Sequence, residues 1–160
     1  MKNKIPRTEA LNIWGELSSP LPKCFKYEVC GSIRRLSPFV GDCDIVTDAD
    51  ANTILSSLKV FLPDKIQLLI SGEHKLRFLF KDFQFDFQIC QFPEEMGASM
   101  LYFTGSKEFN IRMRMVCKRK GFTLNEYGLW KFGVRMAITE EGILKLMGFE
   151  KYFNPIMRKE

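Results

Sequence analysis

Gly31-Ser32-Ile33-Arg34-Arg35-Leu36-Ser37-Pro38-Phe39-Val40-Gly41-Asp42-Cys43-Asp44 holds the densest chemistry in this chain. The segment follows a short strand-like run, Lys26 to Cys30, so Gly31-Ser32 falls where a strand turns over. Backbone N–H groups and a hydroxyl at such a turn can face an anion. Arg35 adds a planar guanidinium fork suited to phosphate oxygens. Six residues separate Arg35 from Asp42, room for a helical turn and a return onto a neighbouring strand, Cys43 to Thr47. Asp42 and Asp44, two apart on an extended chain, place their carboxylates on one face. Such a pair repels itself unless a cation lies between, and oxygen ligands favour Mg²⁺ or Mn²⁺.

Downstream, Asp50 reads as the N-cap of a helix running to Phe61, stopped by Pro63-Asp64. Three strand-like runs follow, Lys65 to Ser71, Leu76 to Phe80 and Phe83 to Cys90, with Lys81-Asp82 as the hairpin tip between the last two. In the last run Phe83, Phe85, Phe87 and Ile89 point one way and Gln84, Asp86 and Gln88 the other. Asp86 thus supplies a third carboxylate from the polar face of a separate strand. Three carboxylates converging on two divalent cations form the arrangement used for nucleotidyl transfer. Asp42 and Asp44 would bridge both ions, and Asp86 would touch only the one at the nucleophile and could take its proton.

Upstream, Arg7 to Leu17 reads as a helix stopped by Ser18-Ser19-Pro20. After Pro93 the pattern turns helical. Met96 to Phe103 is interrupted at Thr104-Gly105-Ser106, and Lys107 to Lys120 ends at Gly121 in the C′ position. Thr123 to Asn125 and Leu129 to Phe132 read as a small hairpin, and Thr139-Glu140-Glu141 opens a last helix that stops near Gly148. The fold class is α+β, with a boundary near 93–104 between a mixed first part and a smaller basic second part. Met113, Met115 and Val116 are expected to pack that second part.

The chain has 160 residues, a net charge of +5 and a single histidine, His74. One histidine nearly excludes a His-based metal site or a His-centred triad, leaving carboxylates and basic groups, with a hard metal ion, to do any chemistry. Cys24, Cys30, Cys43, Cys90 and Cys117 are scattered without a Cys-x-x-Cys pair, against a disulfide framework or a structural zinc. No apolar run approaches the ~20 residues that span a bilayer. The basic start Met1-Lys2-Asn3-Lys4 lacks the apolar stretch of a secretory signal. The expected location is intracellular, whether cytoplasm, nucleus or viral factory. Positive charge gathers at Lys107, Arg112, Arg114, Lys118, Arg119 and Lys120, and again at Arg158-Lys159, which favours a polyanionic partner.

The pattern Gly-Ser-x-Arg-Arg-x6-Asp-x-Asp resembles the nucleotidyltransferase signature of the X-family DNA polymerases. Tyr102-Phe103-Thr104-Gly105-Ser106 is similar to that family's nucleotide-binding motif. Asn125-Glu126-Tyr127-Gly128 and Leu146-x-Gly148 … Tyr152-x-x-Pro155-x-x-Arg158 look like its thumb, and the likeness spans roughly Tyr27 to Arg158. The resemblance implies a nucleotidyltransferase palm over 1–100, a mixed sheet with flanking helices, then a small α/β thumb over 101–160. It implies Asp42, Asp44 and Asp86 as catalytic ligands of two Mg²⁺, with Mn²⁺ as the alternative. Gly31, Ser32, Arg35 and Gly41 would bind the triphosphate. Tyr102, Phe103 and Gly105 would line the sugar, and Asn110 would meet the incoming nucleotide in the minor groove. Arg114 would touch the template, with Arg112, Lys118, Arg119 and Lys120 as further DNA contacts.

The implied partners are deoxynucleoside triphosphates and gapped or primer-template DNA, with no membrane and a monomeric enzyme. The implied activity is templated, gap-filling repair synthesis. Lys107 stands where the family often has an acidic residue, and Ile111 where a basic one stacks by the template, so base selectivity departs from the family pattern. The chain begins too near the motif for a lyase domain or helix-hairpin-helix elements, so neither is expected. Two other functions fit less well. A template-independent or small-acceptor nucleotidyltransferase needs no long basic helix, and a non-catalytic DNA-binding module would not retain all three carboxylates with Ser32 and Arg35.

Overall fold

The computed structural model describes residues 4–158. Met1, Lys2, Asn3, Lys159 and Glu160 lie outside the described residues, so the charges assigned to both ends are only partly placed. The chain is α+β. It begins with β1 (Ile5–Pro6) and α1 (Arg7–Ser18), whose stripe of Ala10, Ile13 and Leu17 is buried. There follow β2 (Tyr27–Val29), a single helical turn α2 (Gly31–Arg34), β3 (Phe39–Val40) and β4 (Asp42–Thr47). Next come α3 (Ala51–Phe61), β5 (Ile66–Ser71), β6 (Lys75–Phe80) and β7 (Phe83–Ile89). Asp50 caps α3 by accepting from the Thr53 amide at 2.9 Å. The five-stranded sheet has the order β2-β4-β7-β6-β5, with β4 and β7 parallel and every other neighbour antiparallel. β1 pairs with β3, two short strands that give no periodicity to read.

The alternation expected in β7 sets the core. Phe83, Phe85, Phe87 and Ile89 are buried with Phe78, Phe80 and Leu76 of β6, beneath α1 and α3. Lys81 and Asp82 form the expected tip. Both have positive φ, 52° and 59°, the type I′ geometry of a two-residue hairpin.

The second part starts with a 3₁₀ turn (Pro93–Glu95), α4 (Met96–Thr104) and α5 (Lys107–Arg119). β8 (Thr123–Asn125), β9 (Gly128–Lys131) and β10 (Val134–Ala137) form an antiparallel sheet in the order β10-β9-β8. α6 (Glu140–Met147), capped by Thr139, and two 3₁₀ turns (Glu150–Tyr152, Pro155–Arg158) are the last elements among the described residues. β10 was not legible, because four residues with a register shift between Arg135 and Ala137 carry no clean alternation. Phe132, expected at a strand end, instead leads a two-residue turn with Gly133, at φ 51° and 76°. A side chain in that left-handed region costs roughly 1–2 kcal/mol.

α4 belongs to two cores at once. Met96 packs with Cys30, Val46 and Cys90, joined by Met100 and Phe103, while Ala98 and Leu101 join Phe109, Met113, Leu129, Ile143 and Leu144. Gly97 lets α4 approach α6 this closely, since a Cβ there would lie 2.4 Å from the Ile138 carbonyl and 2.7 Å from the Glu140 amide.

Two further expectations are corrected. Met115 does not pack the second core, because it lies on the outer side of α5 and is 59% exposed. Arg158 is not a surface charge but is fully buried. All five cysteines are free, and burial pushes the Cys30 thiol up to about 12. Among the described residues no helix is long and apolar enough to cross a membrane.

Candidate active site

The parallel pairing of β4 and β7 places the carboxylates. Asp44 is the direct register partner of Asp86, and Asp42 that of Gln84. Within β4 Cys43 is buried between the two half-exposed aspartates, as a period of two requires. Gly31 makes room for Asp44. It sits at φ 59°, and a Cβ on it would lie 2.1 Å from the Asp44 Oδ2. The Cys30 amide donates to the Asp44 carbonyl at 2.8 Å, so the Gly-Ser turn is fixed to the strand that carries the carboxylates.

Asp86 shares their backbone register but is engaged elsewhere. Arg77 Nε donates to its Oδ1 at 2.5 Å and Arg77 Nη2 to its Oδ2 at 2.9 Å, while Gln84 Nε2 donates to Oδ2 at 3.0 Å. Among the described residues no group of three His, Cys, Asp or Glu side chains is gathered closely enough to hold a metal ion. The donor chemistry still fits a hard cation, with carboxylate oxygens on adjacent strands and an anion-facing turn beside them. Arg77 competes for the Asp86 lone pairs. It was missed from the sequence, although a two-residue tip at Lys81-Asp82 puts residue 77 directly opposite 86.

A cleft of about 500 Å³ opens beside this face. It is lined by Gly31, Ser32, Arg35, Asp42 and Asp44 from the first part, and by Tyr102, Phe103, Gly105 and Ser106 from the end of α4. Lys107, Asn110, Ile111 and Arg114 line it from the first two turns of α5. Most of the predicted nucleotide-site residues therefore share one cavity. Gly41 and Asp86 lie outside its lining, Gly41 next to Asp42 in the chain. Arg35 Nη1 donates to the Thr104 carbonyl, tying the Gly-Ser turn to the end of α4. Asn110 Nδ2 donates to the Tyr102 carbonyl at 2.6 Å, and the Tyr102 and Phe103 rings meet edge to face with centroids 5.1 Å apart. Ser106 caps α5 by accepting from the Phe109 amide at 3.2 Å.

The predicted DNA-facing cations divide. Arg114 faces the cleft, and Lys118, one turn further along α5, is exposed on the same face. Arg112 and Arg119 are exposed on another face of α5, with Arg112 beside the Tyr152 ring at 5.6 Å. Lys120 donates to the Met147 carbonyl at 3.0 Å and so closes the end of α6.

A charge cluster, fully buried at Arg158 and partly exposed at Arg34 and Glu140, adjoins the cleft. Arg34 Nη1 donates to the Thr104 hydroxyl at 2.7 Å and to Glu140 Oε1 at 2.8 Å, and its Nη2 to Glu140 Oε2 at 2.7 Å. Arg158 Nη1 donates to the same Glu140 Oε1 at 2.6 Å, and its Nε to the Tyr152 carbonyl at 2.8 Å. The Arg158 carbonyl accepts from the Ser106 amide at 3.1 Å. Burial alone would raise Glu140, but the two guanidinium groups hold its carboxyl below the usual range. The sequence offered Glu140 only as a helix-opening acid, because three residues from distant segments carry no spacing signal.

The fold and cleft put an α+β sheet domain with paired carboxylates against a basic helical unit, and the second of these matches a known module. The profile of the DNA polymerase beta thumb matches residues 99–159. The chain is 28% identical over 156 residues to the DNA polymerase/3′-5′ exonuclease PolX of Bacillus subtilis, covering 94% of this chain and 26% of that protein. It is 27% identical over 128 residues to the Repair DNA polymerase X of African swine fever virus (isolate Warthog/Namibia/Wart80/1980), covering 74% of each. It is 35% identical over 71 residues to DNA polymerase IV of Saccharomyces cerevisiae, covering 44% of this chain and 12% of that one. The chain thus spans about a quarter of the bacterial relative and about three quarters of the viral one. The likeness in each case is to DNA polymerases of the X family.

Proposed function

We propose that this chain is a template-directed DNA polymerase that fills short gaps during repair, joining a deoxynucleotide to a primer 3′-hydroxyl with release of pyrophosphate. One observation carries the proposal. The Gly-Ser turn, the Asp42–Asp44 pair and the first turns of the basic helix α5 line a single cleft. In this reading residues 1–100 act as palm and 101–160 as thumb, with α4 in the seam.

Ser32 and Arg35 would hold the triphosphate, as a hydroxyl beside a turn and a guanidinium fork are suited to do. Gly105, with no side chain, allows the backbone of the α4–α5 turn to close on the sugar. Asn110 would offer an amide to the base edge, and Arg114 would meet the opposing strand. Lys118, Arg112 and Arg119 would contact DNA phosphates, which position rather than specify. Asp42, Asp44 and Asp86 would hold Mg²⁺, or Mn²⁺ in its place. The ions supply a lowered pKa at the attacking hydroxyl and neutralise charge on the phosphates. The enzyme would act inside the cell, as a monomer.

Extension of a labelled primer on single-nucleotide-gapped DNA, with Mg²⁺ and each nucleotide added separately, tests this. The expected result is insertion directed by the template base and lost in Asp86→Ala. Addition blind to the template would replace the proposal with a terminal-transferase activity, and DNA binding without incorporation would reduce the chain to a binding module.

Arg77 gives a finer test. Because it occupies the Asp86 oxygens, Arg77→Leu is expected to lower by several-fold the Mg²⁺ concentration for half-maximal incorporation. An increase instead would mean that Arg77 orients Asp86 rather than competing for it.

A further inference from the structure

The β9–β10 hairpin presents an aromatic ring to water in a conformation that disfavours it. Phe132 is 93% exposed and occupies the first position of a type I′ turn, where Asn, Asp or Gly is the usual choice. The hairpin tip of the first part, in the same geometry, carries Lys81 and Asp82 instead. Nothing in the fold calls for Phe at position 132.

Its surroundings are cationic. Lys131 Nζ lies 4.6 Å from the Phe122 ring centroid and 5.6 Å from that of Phe132. A Cβ on Gly121 would lie 4.0 Å from Lys131 Cε, so the hairpin flanks the C-terminal end of α5. Lys118 and Arg119, in the last turn of that helix, are exposed there. The other end of α5 lines the cleft, and its 13 residues span roughly 20 Å. That length matches about six steps of a stacked nucleic-acid strand. An exposed ring with a cation beside it and further cations along the approach is the composition of a base-stacking platform.

We infer that Phe132 and Lys131 form a second nucleic-acid contact, at which an unpaired base of a single-stranded segment stacks on the Phe132 ring. Lys131 and the end of α5 hold the adjoining phosphates. This rests on the DNA-binding function proposed above and adds single-stranded DNA at one α5-length from the cleft as the ligand. Exposed Val134 and Met136 nearby would equally suit a protein surface, but the lysine close to two rings and the basic end of α5 favour a polyanion.

The test compares binding of two DNAs by the full chain, a gapped duplex with blunt ends and the same duplex with a ten-nucleotide single-stranded overhang. Phe132→Ala is expected to weaken binding of the overhang DNA by roughly 5–100-fold and to leave the blunt duplex unchanged. Phe132→Trp should retain the preference and lose tryptophan fluorescence, relative to wild type, when the overhang DNA is added. Lys131→Met should reduce the salt slope of overhang binding by about one. Equal binding of both DNAs by wild type and Phe132→Ala would overturn the inference and leave the tip to a protein partner. No binding of either DNA by wild type would instead sink the DNA-binding function itself.

Discussion

Asp44→Asn is expected to lower the rate of nucleotide incorporation by at least about 10²–10³-fold, the scale on which one preorganised charged group acts in a transition state. The melting temperature should stay within a few degrees of wild type. The two results belong together. Asn has the shape of Asp, so it still fits the space left by Gly31, where a Cβ would lie 2.1 Å from the Asp44 Oδ2. Its backbone keeps the register with Asp86 on β7. What the substitution removes is one negative charge lining the cleft, and with it one of the two carboxylate donors on that strand. Single-turnover incorporation at saturating nucleotide, alongside a thermal melt, separates chemistry from folding. Incorporation within a few-fold of wild type would leave Asp42 to carry the site without Asp44.

Glu140→Ala should act on stability instead. It would leave Arg34 and the fully buried Arg158 facing each other without their shared carboxylate. Removing one partner from a buried ionic group costs about 3–5 kcal/mol. For a chain of this size that is a melting temperature lower by roughly 6–20 °C. Glu140→Gln keeps two hydrogen-bonding atoms and should lie between. The pH dependence follows from the depressed carboxyl. The folded protein holds Glu140 ionised below the ordinary value of 4.5. The unfolded chain therefore takes up the proton first as pH falls. The contribution is complete above about pH 4.5 and is lost as pH drops through the lower folded value. Denaturant titrations from pH 7 to pH 3 should show wild type converging on Glu140→Gln at the acid end. A constant gap between the two would show that the carboxylate is not the source of the difference.

What could be read in advance follows a physical division. Local signals were legible. Asp50 and Thr139 were readable as caps, Lys81-Asp82 as a tip, Gly121 and Gly148 as helix ends, and the phenylalanines of β7 as a buried face. Asp42 and Asp44 were readable as a pair because a strand repeats every two residues. Relations between distant segments were not. The Arg34–Glu140–Arg158 cluster joins three elements through side chains alone, and a basic residue near the end of a sequence looks like surface until its partner is known. Arg77 was within reach, since its place opposite Asp86 follows from the hairpin tip. Phe132 was misread because hydrophobic strand ends are common and an aromatic in a type I′ turn is not. Met115 was misread because α5 buries a narrower stripe, Phe109, Met113 and Cys117, than its apolar content implies.

The parallel pairing of β4 and β7 also governs when the cleft can exist. Hairpins such as β5–β6 and β6–β7 close over a few residues and can form early. Asp44 and Asp86 meet only after a loop of about forty residues, including α3, has closed, and such long-range pairings come late because the entropy of closure precedes any contact that offsets it. A partly folded chain can hold its hairpins and helices and still have no place for a nucleotide. Any ligand of the cleft therefore binds the finished fold alone and pulls the folding equilibrium toward it.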